Sequence, residues 1–537
     1  MTPEPTRDPT SEEALGQSPT ASSWRAGARR APEDPRVLRA IQDLQLRVPV
    51  ARSHRDMLAQ LGSQMTFAAP CRVKNADRAE VALVGFSQAI EAAFGITQEV
   101  MLFYSPYADL QRRTFDAARM SLRHLPRQAT PDLIMLYSPD PRAQFKLEDW
   151  SSNDFLAIPL PPEEFSGPPQ FLTLLRQHIY TRDLYYETTP VSGEQFFGRR
   201  PLLQSLRSDV RDGRVAGIFG LRKAGKTSVL TELQRLTESE DSTFLLMDLE
   251  TIPSPPDNPV PDLLADLRAD LTTSLQHRPG ALASLRSISP EPSLAEFRRG
   301  MKEVLSTLHE EDHKITLALD EIEYLVPAER IDIHEGDMPA VAQFLGMLRS
   351  LAQENSNFTF VVSGLTSALI ESGRLYGRPN PLFSWAKTYF ISPFSRAEAD
   401  DMARSVGQRM GIELQTGALE ALFEATGGHA FLYRHLASSV VATLPVDVMK
   451  RVMTRSDVLR SLERWQRDVA GNISEMVNHV RRYYSEEAFL LDTLQRNSDE
   501  FHEFASEMPG ELGHLLQLGL IEQVDHEFQL TPVLQLI

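Results

Sequence analysis

Gly217-Ile218-Phe219-Gly220-Leu221-Arg222-Lys223-Ala224-Gly225-Lys226-Thr227-Ser228-Val229-Leu230 passes from an apolar run through glycines and cations into residues of helical character. Gly220 to Thr227 fits the spacing G-x-x-x-x-G-K-[ST] of a phosphate-binding loop, with apolar residues 215–219 ahead of it and helix-compatible residues 228–236 behind. The expected context is strand, loop, helix. Gly220 and Gly225 let the backbone turn where a Cβ would collide. Successive N–H groups of Leu221, Arg222, Lys223, Ala224 and the residues up to Ser228 then point at phosphate oxygens, at the positive end of the following helix. Lys226 is expected to bring a point charge to the β- and γ-phosphates and to act in catalysis, and the Thr227 hydroxyl to ligate Mg²⁺. The pattern implies a nucleoside triphosphate site, with ATP and Mg²⁺ as the expected pair.

Ile315-Thr316-Leu317-Ala318-Leu319-Asp320-Glu321 is the second informative run. Apolar residues ending in two carboxylates have the form of a buried parallel strand whose C-terminal end projects into a nucleotide cleft. Asp320 would hold Mg²⁺, directly or through water. Glu321 would polarise the attacking water, a contribution typically of about 10²–10⁴ in rate. Taken alone, the run also fits a strand ending in a solvated acidic turn, with Glu323 close behind; the complete loop upstream favours the catalytic reading. Phe358-Thr359-Phe360-Val361-Val362-Ser363-Gly364 is a further strand. Ser363 or Thr366 at its end is a candidate γ-phosphate contact, or else a cap of the next turn. Arg374 and Arg378, in the polar loop 371–380, are candidates for an arginine finger across a subunit boundary, although surface arginines are common.

The 537 residues suffice for about three or four domains. A hydrophobic fraction of 42% with 24% charged residues belongs to an ordinary globular chain. The net charge of −18 disfavours nucleic acid as a partner unless a local basic patch overrides the average. The single cysteine, Cys71, excludes an intrachain disulfide and a Cys-rich zinc site and suits a reducing compartment. Residues 1–35, rich in Pro, Thr, Ser, Glu and Arg, have no apolar core and read as a disordered tail, not a signal peptide. No apolar run approaches the ~18 residues that span a bilayer, so a cytoplasmic protein with no membrane partner is expected.

Residues 35–61 have helical spacing interrupted at Pro49, and residues 79–94 read as another helix. The apolar runs 100–104, 133–137 and 155–160, each closed by a proline turn, read as buried strands, with helices over 109–125 and 170–180. A small α/β domain follows from this. Asp109, Asp132, Asp140 and Glu148 lie near its strand ends, where open parallel sheets place their sites, yet turn chemistry accounts for them better. After the phosphate loop, residues 244–249 read as a strand and 252–261 as a Pro-rich loop. Helices are expected over 262–274 and 294–308, the second opened by the capping box Ser293 and Glu296. A second box, Ser395 and Glu398, opens helices over 396–409, 417–426 and 430–443, with Gly427-Gly428 as the break. Residues 486–495, 501–507 and 511–518 read as three helices. The runs 519–524 and 527–530, around Asp525-His526, complete a winged helix. That module bears Glu486, Glu487, Asp492, Asp499, Glu500, Glu503, Glu507, Glu511, Glu522, Asp525 and Glu527 against a single base, Arg496, which argues against duplex binding and for packing or regulation.

Phe197-Gly198-Arg199-Arg200, the Gly220 to Thr227 loop, Asp320-Glu321, Val362-Ser363-Gly364 and Thr426-Gly427-Gly428-His429 together resemble the core of the STAND and archaeal-type ATPases, an AAA-related branch of the P-loop NTPases. The resemblance covers residues 190–537 and implies that Arg199, Gly428 and His429 lie on the adenine side. Ala430 follows His429 where the family commonly has proline, and no arginine immediately follows the sensor strand. The expected architecture is α/β: a P-loop NTPase parallel sheet over 186–394, a helical lid over 395–483 and a winged helix over 484–537. A small N-terminal helical and α/β domain over 36–185 precedes them. The expected function is an ATP-binding, slowly hydrolysing switch that alternates between ATP and ADP and acts on a protein partner or by self-assembly; some relatives serve in bacterial conflict and defence. The rivals are a DNA-associated AAA-type loader or motor and a nucleotide-stabilised scaffold without turnover.

Overall fold

The computed structural model describes residues 25–30, 32, 34–152, 155–161, 165–251, 258–325, 339–375 and 378–535. Most of the expected tail (1–24) and much of the Pro-rich loop (252–257) lie outside the described residues. The chain forms two compact units. One comprises Met1–Tyr186, Ala403–Leu419 and Ala437–Leu459; the other comprises Glu187–Met402, Glu420–Leu436 and Arg460–Ile537. Residues 395–483 therefore contribute to both.

The first unit holds a five-stranded sheet in sequence order: β1 (Gln64–Pro70), β2 (Glu80–Gly85), β3 (Glu99–Tyr104), β4 (Ala129–Tyr137) and β5 (Leu156–Leu160). The first two pairings are antiparallel and the last two parallel. Residues 79–94, expected to be one helix, are instead β2 followed by the short helix Gln88–Phe94. Every residue of β2 is buried, because it runs second from the sheet edge with both faces covered. A strand buried on both faces loses the alternation that separates it from a helix. The expected helices around Pro49 appear as Pro35–Arg47 and Val50–Gln60.

Asp109, Asp132 and Asp140 near these strand ends are held in hydrogen bonds and ion pairs, Asp140 in its own turn and Asp132 by arginines distant in sequence. Asp140 accepts from the N–H groups of Leu110 and Arg142, both at 2.8 Å, and pairs with Lys146 at 2.7 Å, which holds it down to about 2. Asp109 shares Lys146 at 2.6 Å. Asp132 takes Arg182 at 2.9 Å and Arg409 at 2.8 Å. Arg29, assigned by the sequence to the tail, donates to Phe86 O and pairs with Glu91 at 2.5 Å, so this part of the expected tail is anchored.

In the second unit the strands β6 (Ala216–Phe219), β7 (Ser242–Asp248), β8 (Lys314–Asp320) and β9 (Phe358–Gly364) are joined, beyond the two-residue strands β10 (Arg374–Leu375) and β11 (Arg378–Pro379), by β12 (Lys387–Phe390). The sheet order is β12-β6-β9-β8-β7, parallel throughout. The sensor strand β9 thus lies between the loop strand β6 and the acidic strand β8. One face is covered by helices Val260–Ser274, Leu294–Glu310 and Pro339–Glu354; the second carries the loop helix Lys226–Thr237. Ser293 Oγ accepts from the Glu296 N–H at 3.2 Å, and Ser395 and Glu398 exchange both bonds of their box.

The C-terminal segment follows the expected pattern: helices Ser485–Arg496, Ser498–Glu507 and Pro509–Gln517, then antiparallel β15 (Ile521–Val524) and β16 (Glu527–Leu530), numbered after the short parallel pair β13 (Ile412–Leu414) and β14 (Arg451–Met453). Its Leu490, Phe501, Leu515 and Ile521 share one core with Val229 and Leu230 of the loop helix. The long helix Arg455–Tyr483 has no counterpart among the expected elements.

Candidate nucleotide site

The loop turns as its glycine spacing requires. Gly225, at φ +99°, takes a left-handed conformation immediately before Lys226 opens the helix, and Lys223 is also left-handed at φ +59°. A Cβ on Gly225 would stand 2.7 Å from a guanidinium nitrogen of Arg199, which would have to move aside, while the left-handed φ is what favours glycine here. Gly220 has no left-handed φ; its constraint is the neighbouring Ile391, whose side chain would stand 3.1 Å from a Cβ at this position. Lys226 is buried and donates to Gly220 O at 3.4 Å and Leu221 O at 3.3 Å, folded back on the loop it opens from.

Thr227 and Asp320 meet: the hydroxyl donates to Asp320 Oδ2 at 2.6 Å. Asp320 is buried, and its other oxygen accepts the N–H of Glu321 at 3.0 Å. Glu321 sits at φ +56°, a left-handed position that costs a non-glycine residue about 1–3 kcal/mol and is characteristic of functional sites. Burial, followed by the facing carboxyl of Glu323, raises the Glu321 pKa well above the usual carboxylate range, with Lys226 opposing. Glu323 is not the solvated turn residue that its spacing suggests. It is buried and accepts the N–H of Leu365 at 3.1 Å, which ties the acidic turn to the end of β9. Asp248, paired in register with Asp320 on the neighbouring strand, is likewise raised, by burial first and then by its acidic neighbours. Spacing in sequence contains no signal for Asp248, because only strand adjacency brings it in, whereas Glu323 is close in sequence but its burial is set by the turn at Glu321.

Ser363 is fully buried beside Ile218 in register, and its Oγ has no hydrogen-bond partner among the described residues. Thr366 Oγ1 caps the N–H of Ala368, the turn role weighed against a phosphate contact. Arg374 and Arg378 stand on the exposed β10–β11 pair. Arg199, left-handed at φ +57°, donates to Ala224 O at 2.6 Å, lies over the Phe394 ring at 4.9 Å and gives its N–H to Glu398 at 2.7 Å. Burial lowers its pKa to about 10. Gly428, at φ +75°, is pressed so close to Phe394 that a Cβ would lie 2.3 Å from that carbonyl. His429 follows, 3% exposed, with neither ring nitrogen hydrogen-bonded among the described residues; burial and then Arg199 lower its pKa to about 4, so the ring is neutral. Arg199 and, through Phe394 and its own effect on His429, the Gly428-His429 turn thus pack behind the phosphate loop.

These residues fit a magnesium nucleotide. The loop offers N–H groups and a lysine, Thr227 and Asp320 put two oxygens within one ion's reach, and orphaned polar atoms remain on Ser363 and His429. No group of three or more His, Cys, Asp or Glu among the described residues forms a metal cage. Mg²⁺ would therefore take its other ligands from phosphates and water, its usual habit. A cavity of about 220 Å³ lies at the opposite end of the sheet, lined by Arg207, Leu236, Lys314 and Phe358 among others, and forms no part of this site. No described helix is long and apolar enough to cross a membrane.

No family model and no curated protein sequence matches the chain. Among solved structures, the Walker-type ATPase PABY2304 of Pyrococcus abyssi is similar at 14% identity and a TM-score of 0.46, covering 65% of this chain and 98% of that one. The Aeropyrum pernix ORC2 protein, in ADPNP–ADP complexes, is similar at 12% identity and 0.39, covering 66% and 95%. The Thermotoga maritima RuvB Holliday junction branch migration motor is similar at 16% and 0.33, covering 64% and 95%. Strand order, loop geometry and the meeting of Thr227 with Asp320, rather than these likenesses, define the second unit as a P-loop NTPase fold.

Proposed function

We propose that the chain is an ATP-binding, slowly hydrolysing molecular switch of the STAND-like signalling type, acting in the cytoplasm on a protein partner or by self-assembly. The observation that carries the reading is the Thr227–Asp320 contact with Glu321 held beside it. Bound ATP with Mg²⁺ would supply the scissile phosphoanhydride. Lys226 and the loop N–H groups would hold the phosphates, Thr227 and Asp320 the metal, Ser363 a terminal phosphate oxygen, and Arg199 with His429 the adenine side. Glu321 would accept the proton of a water attacking the terminal phosphorus, while the bond to the bridging oxygen breaks and ADP and phosphate leave. The C-terminal helices and β15–β16 fit a winged helix whose acidic surface suits packing better than DNA.

Sizing the purified protein with ATP, with ADP and without nucleotide, alongside a phosphate-release assay, tests this. Slow turnover with ATP-dependent assembly supports the switch. Nucleotide-indifferent size with no release supports a scaffold, and salt-sensitive DNA affinity supports a DNA-associated AAA-type ATPase.

A further inference from the structure

The helix Arg455–Tyr483 carries Asn472, Glu475 and His479 at successive spacings of three and four, which places them on one face. Two of them are fastened to the phosphate loop. Lys223 Nζ donates to Asn472 Oδ1 at 2.5 Å, and the Arg222 guanidinium pairs with Glu475 at 2.9 Å. His479 comes next along the same face. Its ring lies where Arg222, Lys226 and Arg482 all act on it, and burial followed by these cations lowers its pKa, with Glu475 opposing. Its Nδ1 is buried and has no hydrogen-bond partner among the described residues.

An imidazole with an orphaned nitrogen, where three cations outweigh the single carboxylate of Glu475, is a place that an anionic oxygen satisfies. A phosphate there would bond the ring and neutralise Arg222 and Lys226 at once. Glu475, by contrast, already occupies Arg222, so it competes with a phosphate for that guanidinium. The sensor strand β9 leads into Leu365 with no arginine, leaving the terminal phosphate without a cationic contact from that side.

We propose that His479 is a ligand of the terminal phosphate, delivered by the long helix, and that Glu475 is the anion which that phosphate displaces from Arg222. The proposal rests on the reading of the loop as a triphosphate site. It makes the helix the element that distinguishes ATP from ADP, since only the longer nucleotide reaches the ring.

The test is equilibrium binding of fluorescent ATP and ADP analogues to the full chain. His479→Gln is expected to weaken ATP about tenfold, the weight of one charge-assisted bond, and to leave ADP within about threefold. Glu475→Gln, which releases Arg222, is expected to tighten ATP a few-fold; its sign is opposite to that of any loss from misfolding. Lys226→Ala serves as reference and should weaken both nucleotides. If it does while the His479 variant keeps the parent's ATP-to-ADP preference and the Glu475 variant gains no affinity, this inference alone falls. If the parent binds no ATP, or Lys226→Ala binds it as the parent does, the triphosphate reading fails and the inference with it.

Discussion

The Thr227 hydroxyl, in the first turn of the loop helix, donates at 2.6 Å to Asp320, at the end of a strand two places away in the sheet. Two oxygens that far apart in sequence meet only because β9 separates β6 from β8 and all three strands end on one side. A divalent ion between them would join the loop to the acidic strand. Asp320→Asn keeps the volume and removes the charge. It is expected to weaken ATP binding by about tenfold or more in Mg²⁺, as for a charged contact of ~1.5–3 kcal/mol, and to change little in EDTA. Equal losses with and without metal would assign Asp320 to the fold and not to the ion.

Glu321 touches a water and not the ground-state nucleotide in this reading. Glu321→Gln should therefore keep ATP affinity within a few-fold and slow phosphate release by about 10²–10⁴. The nucleotide recovered from the variant should be largely ATP. Parent-like release would return the acidic pair to the role of a strand end.

Because burial and Glu323 raise the Glu321 pKa, turnover should rise as pH increases through that raised value. Glu323→Gln removes the facing charge. Its pH–rate profile should shift to lower pH, by about one unit, with ATP affinity unaffected. A profile that stays in place would show that Glu323 does not act on the Glu321 carboxyl.

His514 stands between Glu371, at 3.2 Å, and Glu487, at 2.6 Å, and these two bonds raise its pKa to about 10 from the ordinary 6.5. A histidine raised in the folded state stabilises it fully below its unfolded value, and that contribution is lost as pH climbs toward the folded one. His514→Gln should lower the melting temperature, and the gap from the parent should shrink between pH 7 and pH 10. A gap that stays constant or widens with pH would refute the pairing.

The C-terminal module has one arginine among many acids, and helix Pro509–Gln517 contributes no lysine or arginine at all. The full chain should show no appreciable duplex DNA affinity at physiological salt in an anisotropy titration. Tight binding that weakens steeply with salt would restore the DNA-associated reading.

Whatever depends on neighbours along the chain is legible in the sequence. The loop needs only the backbone freedom of Gly225 and the position of Lys226 before a helix, and both are local. The capping pairs at Ser293 and Ser395, the strands ending in Tyr104, Tyr137 and Leu160, and the three helices before β15 are likewise governed by period, caps and turns. Where burial on both faces removes the period, as in β2, the same reasoning points to a helix.

The chemistry among distant residues belongs to the tertiary structure. Spacing suggests a solvated turn for Glu323, but the left-handed Glu321 turns the chain so that Glu323 is buried against the end of β9 and faces the proposed base. Arg199 reaches the loop through the Glu398 capping box, a partner separated from it by 199 positions. Asn472, Glu475 and His479 lie in a helix outside the expected elements, and only packing sets that helix against the loop. A motif specifies the conformation of its own backbone. The protonation of a carboxyl and the partner of an arginine depend on fields and distances across the fold, which the linear order of residues does not contain.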